Sequence, residues 1–153
     1  MPAIYVPISP VYGLPLRLAY QATASLDQTA GAWVTPTAAY AARLLDLDVA
    51  TDINMDNHSA TGHWVQIDFG GQYLLTSLYL VARGGGAGAG ACSWTTSDGQ
   101  TSTSASLGPS ATATVTFTGG PVRWVRGTFT GANTNYDGWA EVTPRGRYWR
   151  PSV

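Results

Sequence analysis

The chain has 153 residues, enough for one domain with a real core and too few for two ordinary ones. Charged residues make up 11% and the formal net charge is −1, with every cation an arginine, so there is no basic surplus for binding nucleic acid by phosphate neutralisation. Six Trp, eight Tyr and three Phe at so low a charge exclude a disordered chain, and the single cysteine, Cys92, excludes an internal disulfide or a cysteine-built zinc cluster.

Residues 1–20 are broken by prolines and reach their first positive charge only at Arg17, whereas a secretory leader places charge first and then an unbroken apolar stretch. No window holds 18 consecutive apolar residues. The expectation is a protein made in the cytoplasm without membrane insertion. Residues 1–13 alternate Ile4, Val6, Ile8 and Val11 with Pro2, Pro7 and Pro10, and read as an extended arm. Strands follow with period-two alternation or continuous apolar runs: 14–20, Trp64–Phe69, Leu74–Ala82, 111–118, Val122–Thr130 and Gly138–Thr143. One helix is predicted over 36–47, with Thr35 as cap and Pro36 at its first position. Gly70-Gly71, Asp98-Gly99, Gly119-Gly120-Pro121 and Asp137-Gly138 are turn signals. The Ser/Thr-rich stretch 95–118 reads as a solvated hairpin. The pattern predicts an all-β, antiparallel jelly-roll β-sandwich over 14–144, flanked by the arm and by a C-terminal tail at 145–153.

Six landmarks then occur in order: LLDLDVAT at 44–51, TGHWVQIDFG at 61–70, LLTSLYLVA at 74–82, TTSDGQT at 95–101, VRWVRGTFTG at 122–131 and WAEVTP at 139–144. Together they resemble the discoidin, or coagulation-factor type C, domain and the galactose-binding-like carbohydrate-binding modules, over about residues 38–144. Three positions depart from the family pattern. Leu47 stands where a loop glycine is usual, Ile53 where a tryptophan is often found, and Trp124 where tyrosine is usual.

The loop Asp46–Thr51 offers two carboxylates and a hydroxyl, the oxygen donors that Ca²⁺ prefers. Taken alone, two aspartates in a loop are more often solvated or capping residues than ligands. The resemblance implies a structural calcium held by Asp46, Asp48, Thr51, Ala140 through its carbonyl, and Glu141, the only glutamate of the chain. Asp68 is expected to bond backbone amides at a strand end. Asp56, His58 and His63 could imitate a two-histidine, one-carboxylate site, but they lie in a polar loop and are expected to be exposed. The run 84–90 is near a dinucleotide fingerprint, yet a strand-and-turn pattern follows instead of a helix, so it reads as a flexible loop. No nucleophile elbow or metalloprotease motif occurs, and the chain is expected not to be an enzyme.

Sugar recognition requires aromatic faces and short polar groups on loops. Asn54, Asn57, His58, His63, Arg83, Asn133, Asn135, Tyr136 and Trp139 supply these, and the resemblance implies that the loops 52–63 and 131–139 gather at one end of the sandwich. Trp64, Trp94 and Trp124 are assigned to the core, and Cys92 to packing. Two functions from different classes follow. The first is a non-catalytic structural or adhesive subunit of a particle, such as a phage decoration or tail protein on the virion surface, joined to other subunits through its arms and able to bind cell-surface glycan. The alternative is a free-standing carbohydrate-binding module.

Overall fold

The computed structural model describes residues 22–26, 41–54, 62–86, 88–131 and 138–149. The predicted arm, the strand 14–20 and most of the helix 36–47 lie outside these residues. Of that helix, residues 41–42 are helical and pass into a 3₁₀ turn, Arg43–Leu45, which buries Leu44 and Leu45. Eight strands make up the rest: β1 (Thr23–Leu26), β2 (Ile53–Asn54), β3 (Trp64–Ala82), β4 (Cys92–Thr96), β5 (Thr101–Ser104), β6 (Thr112–Thr116), β7 (Val122–Phe129) and β8 (Gly138–Tyr148). Among the described residues no helix is long and apolar enough to cross a membrane.

The strand β3 carries the architecture. Its first part, Trp64–Asp68, pairs antiparallel with β1 and β7; its second, Tyr73–Ala82, pairs with β8, and Ser77–Val81 also with β6. One layer is therefore β1, the start of β3, β7, β4 and β5; the other is β6, the end of β3, β8 and β2. At Gly70-Gly71, predicted as a turn, the chain leaves the first layer and runs back along the second, so Trp64 beside Thr128 and Ala82 beside Trp139 lie at the same end. Gly70 adopts φ 67° and the register with β7 shifts between Asp68 and Tyr73, so the strand rotates from one layer into the other. The predicted hairpin over 95–118 is also split. Asp98-Gly99 does close a β4–β5 turn, but β6 crosses to the second layer, where Val115 is buried.

The layers meet over Trp94 of β4 and Trp139 of β8, both fully buried, with ring centroids 5.8 Å apart, and Phe129 of β7 stacks on Trp139 at 6.1 Å. Burying each such side chain is worth about 1.5–3 kcal/mol. Trp94 fits because its strand neighbour is Gly127; a Cβ there would stand 2.5 Å from the indole. Its Nε1–H donates to the Ser104 hydroxyl at 3.1 Å. Cys92 is buried in the same cluster, as predicted. Trp64 and Trp124 are not core residues. The alternation that turns Val65, Ile67 and Val125 inward turns both indoles onto the outer face of the first layer, where they are half-buried.

Two further expectations are corrected. Residues 145–148, assigned to a tail, continue β8: Arg145, Gly146, Arg147 and Tyr148 pair with Ser77, Leu75, Leu74 and Tyr73. Pro144 concealed this, yet among the described residues β2 covers only Gly138 and Trp139, and beyond them that side of β8 has no strand partner and tolerates a residue without an N–H. Residues 88–90 of the glycine run are pinned rather than flexible. Ala89 and Leu107 exchange backbone hydrogen bonds of 2.8 and 2.9 Å, residues 88–90 are buried, and Gly88 has φ 89° with the Leu107 carbonyl 2.2 Å from where a Cβ would stand.

Candidate functional site

The bases of three connecting segments, those between β2 and β3, β3 and β4, and β7 and β8, converge at the end of the sandwich where β8 begins. The backbone of Asn54 in β2 pairs with Gly138, the Arg83 N–H donates to the Gly138 carbonyl at 3.1 Å, and the Gly138 N–H donates to Gly88 at 3.0 Å. On the other layer, the Phe129 N–H donates to the His63 carbonyl at 2.9 Å, and the Phe129–Trp139 stack ties that corner to the start of β8. Arg83 therefore follows directly on β3 while His63 precedes it, and both are half-buried. Asn57, His58, Asn133, Asn135 and Tyr136 lie outside the described residues, as does Asp56, and Trp139, expected on a loop, is instead fully buried in the core as the second residue of β8.

At this end the Arg83 Nε–H donates to Asp52 Oδ2 at 2.9 Å, with the two side chains 21% and 30% exposed. Arg43 reaches the Asp52 carbonyl at 3.2 Å, which fixes the same residue from its backbone. Asp52 escaped the sequence reading because its partner is 31 residues away and no local spacing links them. The arrangement is a fixed guanidinium at a loop-lined end, with a carboxylate holding its direction. Such charge-assisted donors and acceptors are suited to orienting hydroxyl groups.

A second cluster lies over the second layer. Asp46 Oδ1 accepts the Asp48 N–H at 2.9 Å and Asp46 Oδ2 accepts the Thr51 hydroxyl at 2.7 Å. Asp48 caps the Ala50 N–H at 3.0 Å, and its carbonyl accepts the Thr51 N–H at 3.0 Å. Glu141, only 3% exposed, stands beside Asp46 with Oε2 3.3 Å from the Thr143 hydroxyl and Oε1 without a partner. Burial first, then the hydrogen bond and charge of Asp46, push its carboxyl up to about 8. Ala140 falls where the β3–β8 register skips, Val81 pairing with Glu141 and Ala82 with Trp139, so it is the unpaired residue of a bulge.

The structure thus brings Asp46, Thr51, Ala140 and Glu141 together and turns Asp48 toward its own loop. Among the described residues no group of three or more His, Cys, Asp or Glu forms, so a cation here would rest on two carboxylates completed by hydroxyl, carbonyl and water oxygens. The orphan Oε1 of Glu141 fits that role. A cleft of about 350 Å³ opens beside it, lined by Leu47, Val49, Tyr79, Val81, Thr143 and Arg145 as well as Glu141. Asp68 bonds the Gly70 N–H at 2.8 Å, the strand-end role predicted for it.

No family model and no curated protein matches the chain. Solved structures do. The family 32 carbohydrate-binding module from Clostridium perfringens NanJ, in complex with galactose, is 17% identical and aligns over 83% of this chain and 95% of its own at a TM-score of 0.58. The Clostridium perfringens domain CpGH89CBM32-5, in complex with GalNAc-β-1,3-galactose, is 11% identical over 84% of this chain and 98% of its own, at 0.64. A fucolectin from the serum of Morone saxatilis, striped bass, is 17% identical over 84% of this chain and 48% of its own, at 0.62.

Proposed function

From the discoidin-like, galactose-binding-like sandwich that these structures share with the chain, we propose a non-catalytic glycan-binding domain that holds a galactose-type sugar at the end where Asp52, Asn54, His63, Arg83 and Gly138 converge. The observation that carries this reading is the Arg83–Asp52 pair set at the root of those loops. A paired guanidinium and carboxylate can exchange hydrogen bonds with sugar hydroxyls, and the pairing keeps both in one orientation. The similar structures support it, since two of them hold galactose or a galactose-containing disaccharide. The particle-subunit expectation draws no such support, and the arm on which it rested lies outside the described residues.

The test is calorimetric titration of the full chain with galactose and GalNAc-β-1,3-galactose. We expect binding that Arg83→Ala weakens at least tenfold with the unfolding temperature retained. Wild-type affinity in a folded Arg83→Ala protein, or no binding of any galactoside, would overturn the reading.

We further propose that Asp46, Thr51, Glu141 and the Ala140 carbonyl hold a structural Ca²⁺, which would tie the 46–51 loop to β8. The orphan carboxylate oxygen of Glu141 supports it.

A further inference from the structure

The outer face of the first layer carries a feature that neither the end loops nor the cation cluster uses. On β7 and β3 the pairs Trp64↔Thr128, Gln66↔Arg126 and Asp68↔Trp124 place two indoles around one arginine. The Arg126 guanidinium carbon lies 4.2 Å from the Trp64 ring centroid and 5.7 Å from that of Trp124. Its Nε–H donates to Gln66 Oε1 at 2.9 Å. These contacts fix the plane and leave the two terminal nitrogens without a partner among the described residues. No described carboxylate lies within ion-pair reach. Asp68, the acidic residue of this face, is held by the Gly70 N–H.

We propose that this face binds a carboxylated polysaccharide, Arg126 pairing a uronate carboxylate while Trp64 and Trp124 pack against the sugar rings. A planar guanidinium lying over one indole, near a second and bonded to Gln66 is pre-organised for a bidentate carboxylate, so little rotamer freedom remains to be lost on binding. Trp64 and Trp124 are both half-buried, leaving indole surface for the C–H faces of a pyranose. Thr95 on β4 pairs with Arg126 and lies on the same side, adding a hydroxyl beside the carboxylate position. Charge selects between polyanions. A nucleic acid strand would need a row of cations to replace its counterions. This row holds one, which suits widely spaced carboxylates whose sugar rings make up the rest of the contact.

The surface is separate from the end loops, and its test separates the two. The full chain is titrated with alginate and with neutral dextran, at low and high salt, in saturating free galactose and in the Arg83→Ala background. We expect alginate binding that survives galactose and Arg83→Ala, weakens with salt, and falls at least tenfold in Arg126→Gln. Arg126→Lys should also lose most of it, because an ammonium keeps the charge and lacks the fork. Should Arg126→Gln not fold, the indole N–H resonances of Trp64 and Trp124 in the wild-type protein serve instead, and alginate but not dextran should shift them. Equal binding of dextran, unchanged alginate affinity in folded Arg126→Gln, unmoved indole signals, or tighter binding of single-stranded DNA at the same signals would each overturn the proposal.

Discussion

The two outer faces of the sandwich treat charge in opposite ways. On the first layer, Arg126 is half-exposed and held by two indoles and one amide oxygen, with no counter-charge among the described residues. On the second, Glu141 is nearly fully buried against another carboxylate and left with an orphan oxygen. Both side chains are turned outward by strand alternation, Arg126 on β7 of the first layer and Glu141 on β8 of the second. The difference lies in what covers them: nothing described lies over Arg126, whereas the loop after the 3₁₀ turn puts Asp46 beside Glu141. A cation stacked on π-faces at a wet surface needs no further neutralisation. A buried carboxylate does, from a proton or a metal ion.

The largest expected effect breaks the buried side of this contrast. With calcium at a hundredfold its dissociation constant, the folded state should gain about 2.7 kcal/mol over protein in chelator, read by urea unfolding. Chelated protein should also show the pH dependence of a raised carboxyl. The ordinary value is 4.5 and the folded value about 8, so the folded protein keeps a proton that the unfolded chain gives up between them. That contribution is complete below the unfolded value and drains away as pH rises through the folded one. Glu141→Gln should remove both the calcium gain and the slope. Identical unfolding in calcium and chelator would remove calcium from the account.

Next in size is the loop that covers Glu141. Leu47 has φ 62°, the left-handed region, at the position where the resembling family has glycine. Leu47→Val should cost about 1–2 kcal/mol although the side chain is 42% exposed, because a β-branched residue fits that conformation worst. A cost near zero would mean the loop relaxes without its φ. On the open face, by contrast, Arg126→Gln should cost less than about 1 kcal/mol of stability, the worth of an exposed cation–π pair. A larger loss would mean that the row is a structural ladder first.

What could be read from residues alone follows the same division. The strand alternation was legible wherever one face is apolar, and so were the order of landmarks, the Asp98-Gly99 turn, the Asp68 role and the packed Cys92. At Gly70-Gly71 the turn was legible but the change of layer was not, because a glycine pair marks a reversal without saying which sheet the returning strand joins. Nor was the outward placement of Trp64 and Trp124: tryptophan is apolar enough to suggest a core, and only the register against Val65 and Val125 sends it outside. The motif order grouped Asp46 with Glu141, though spacing could not place Asp48 against its own loop. The Arg83–Asp52 pair joins residues far apart in sequence, which local patterns do not encode.

A third carboxylate sharpens the comparison at its smallest scale. Asp98, exposed in the β4–β5 turn, accepts the Thr96 hydroxyl on Oδ1 and the Gln100 side-chain amide on Oδ2 at 2.8 Å. Burial pushes its carboxyl up, but the hydrogen bonds from Thr96, from the Gln100 side chain and from the Gln100 N–H outweigh it and hold it below the usual range. The sign is therefore opposite to that of Glu141. The stabilisation is present above the unfolded value and is lost as pH falls through the folded one. Asp98→Asn should cost about 0.5 kcal/mol at neutral pH, a figure kept small by solvent screening, and nothing at a pH acidic enough to protonate the wild-type group itself. Urea unfolding at the two pH values reads the difference. An equal cost at both would mean that Asp98 acts through the shape of the turn, leaving donor count as no part of what separates a satisfied surface carboxylate from the buried one at Glu141.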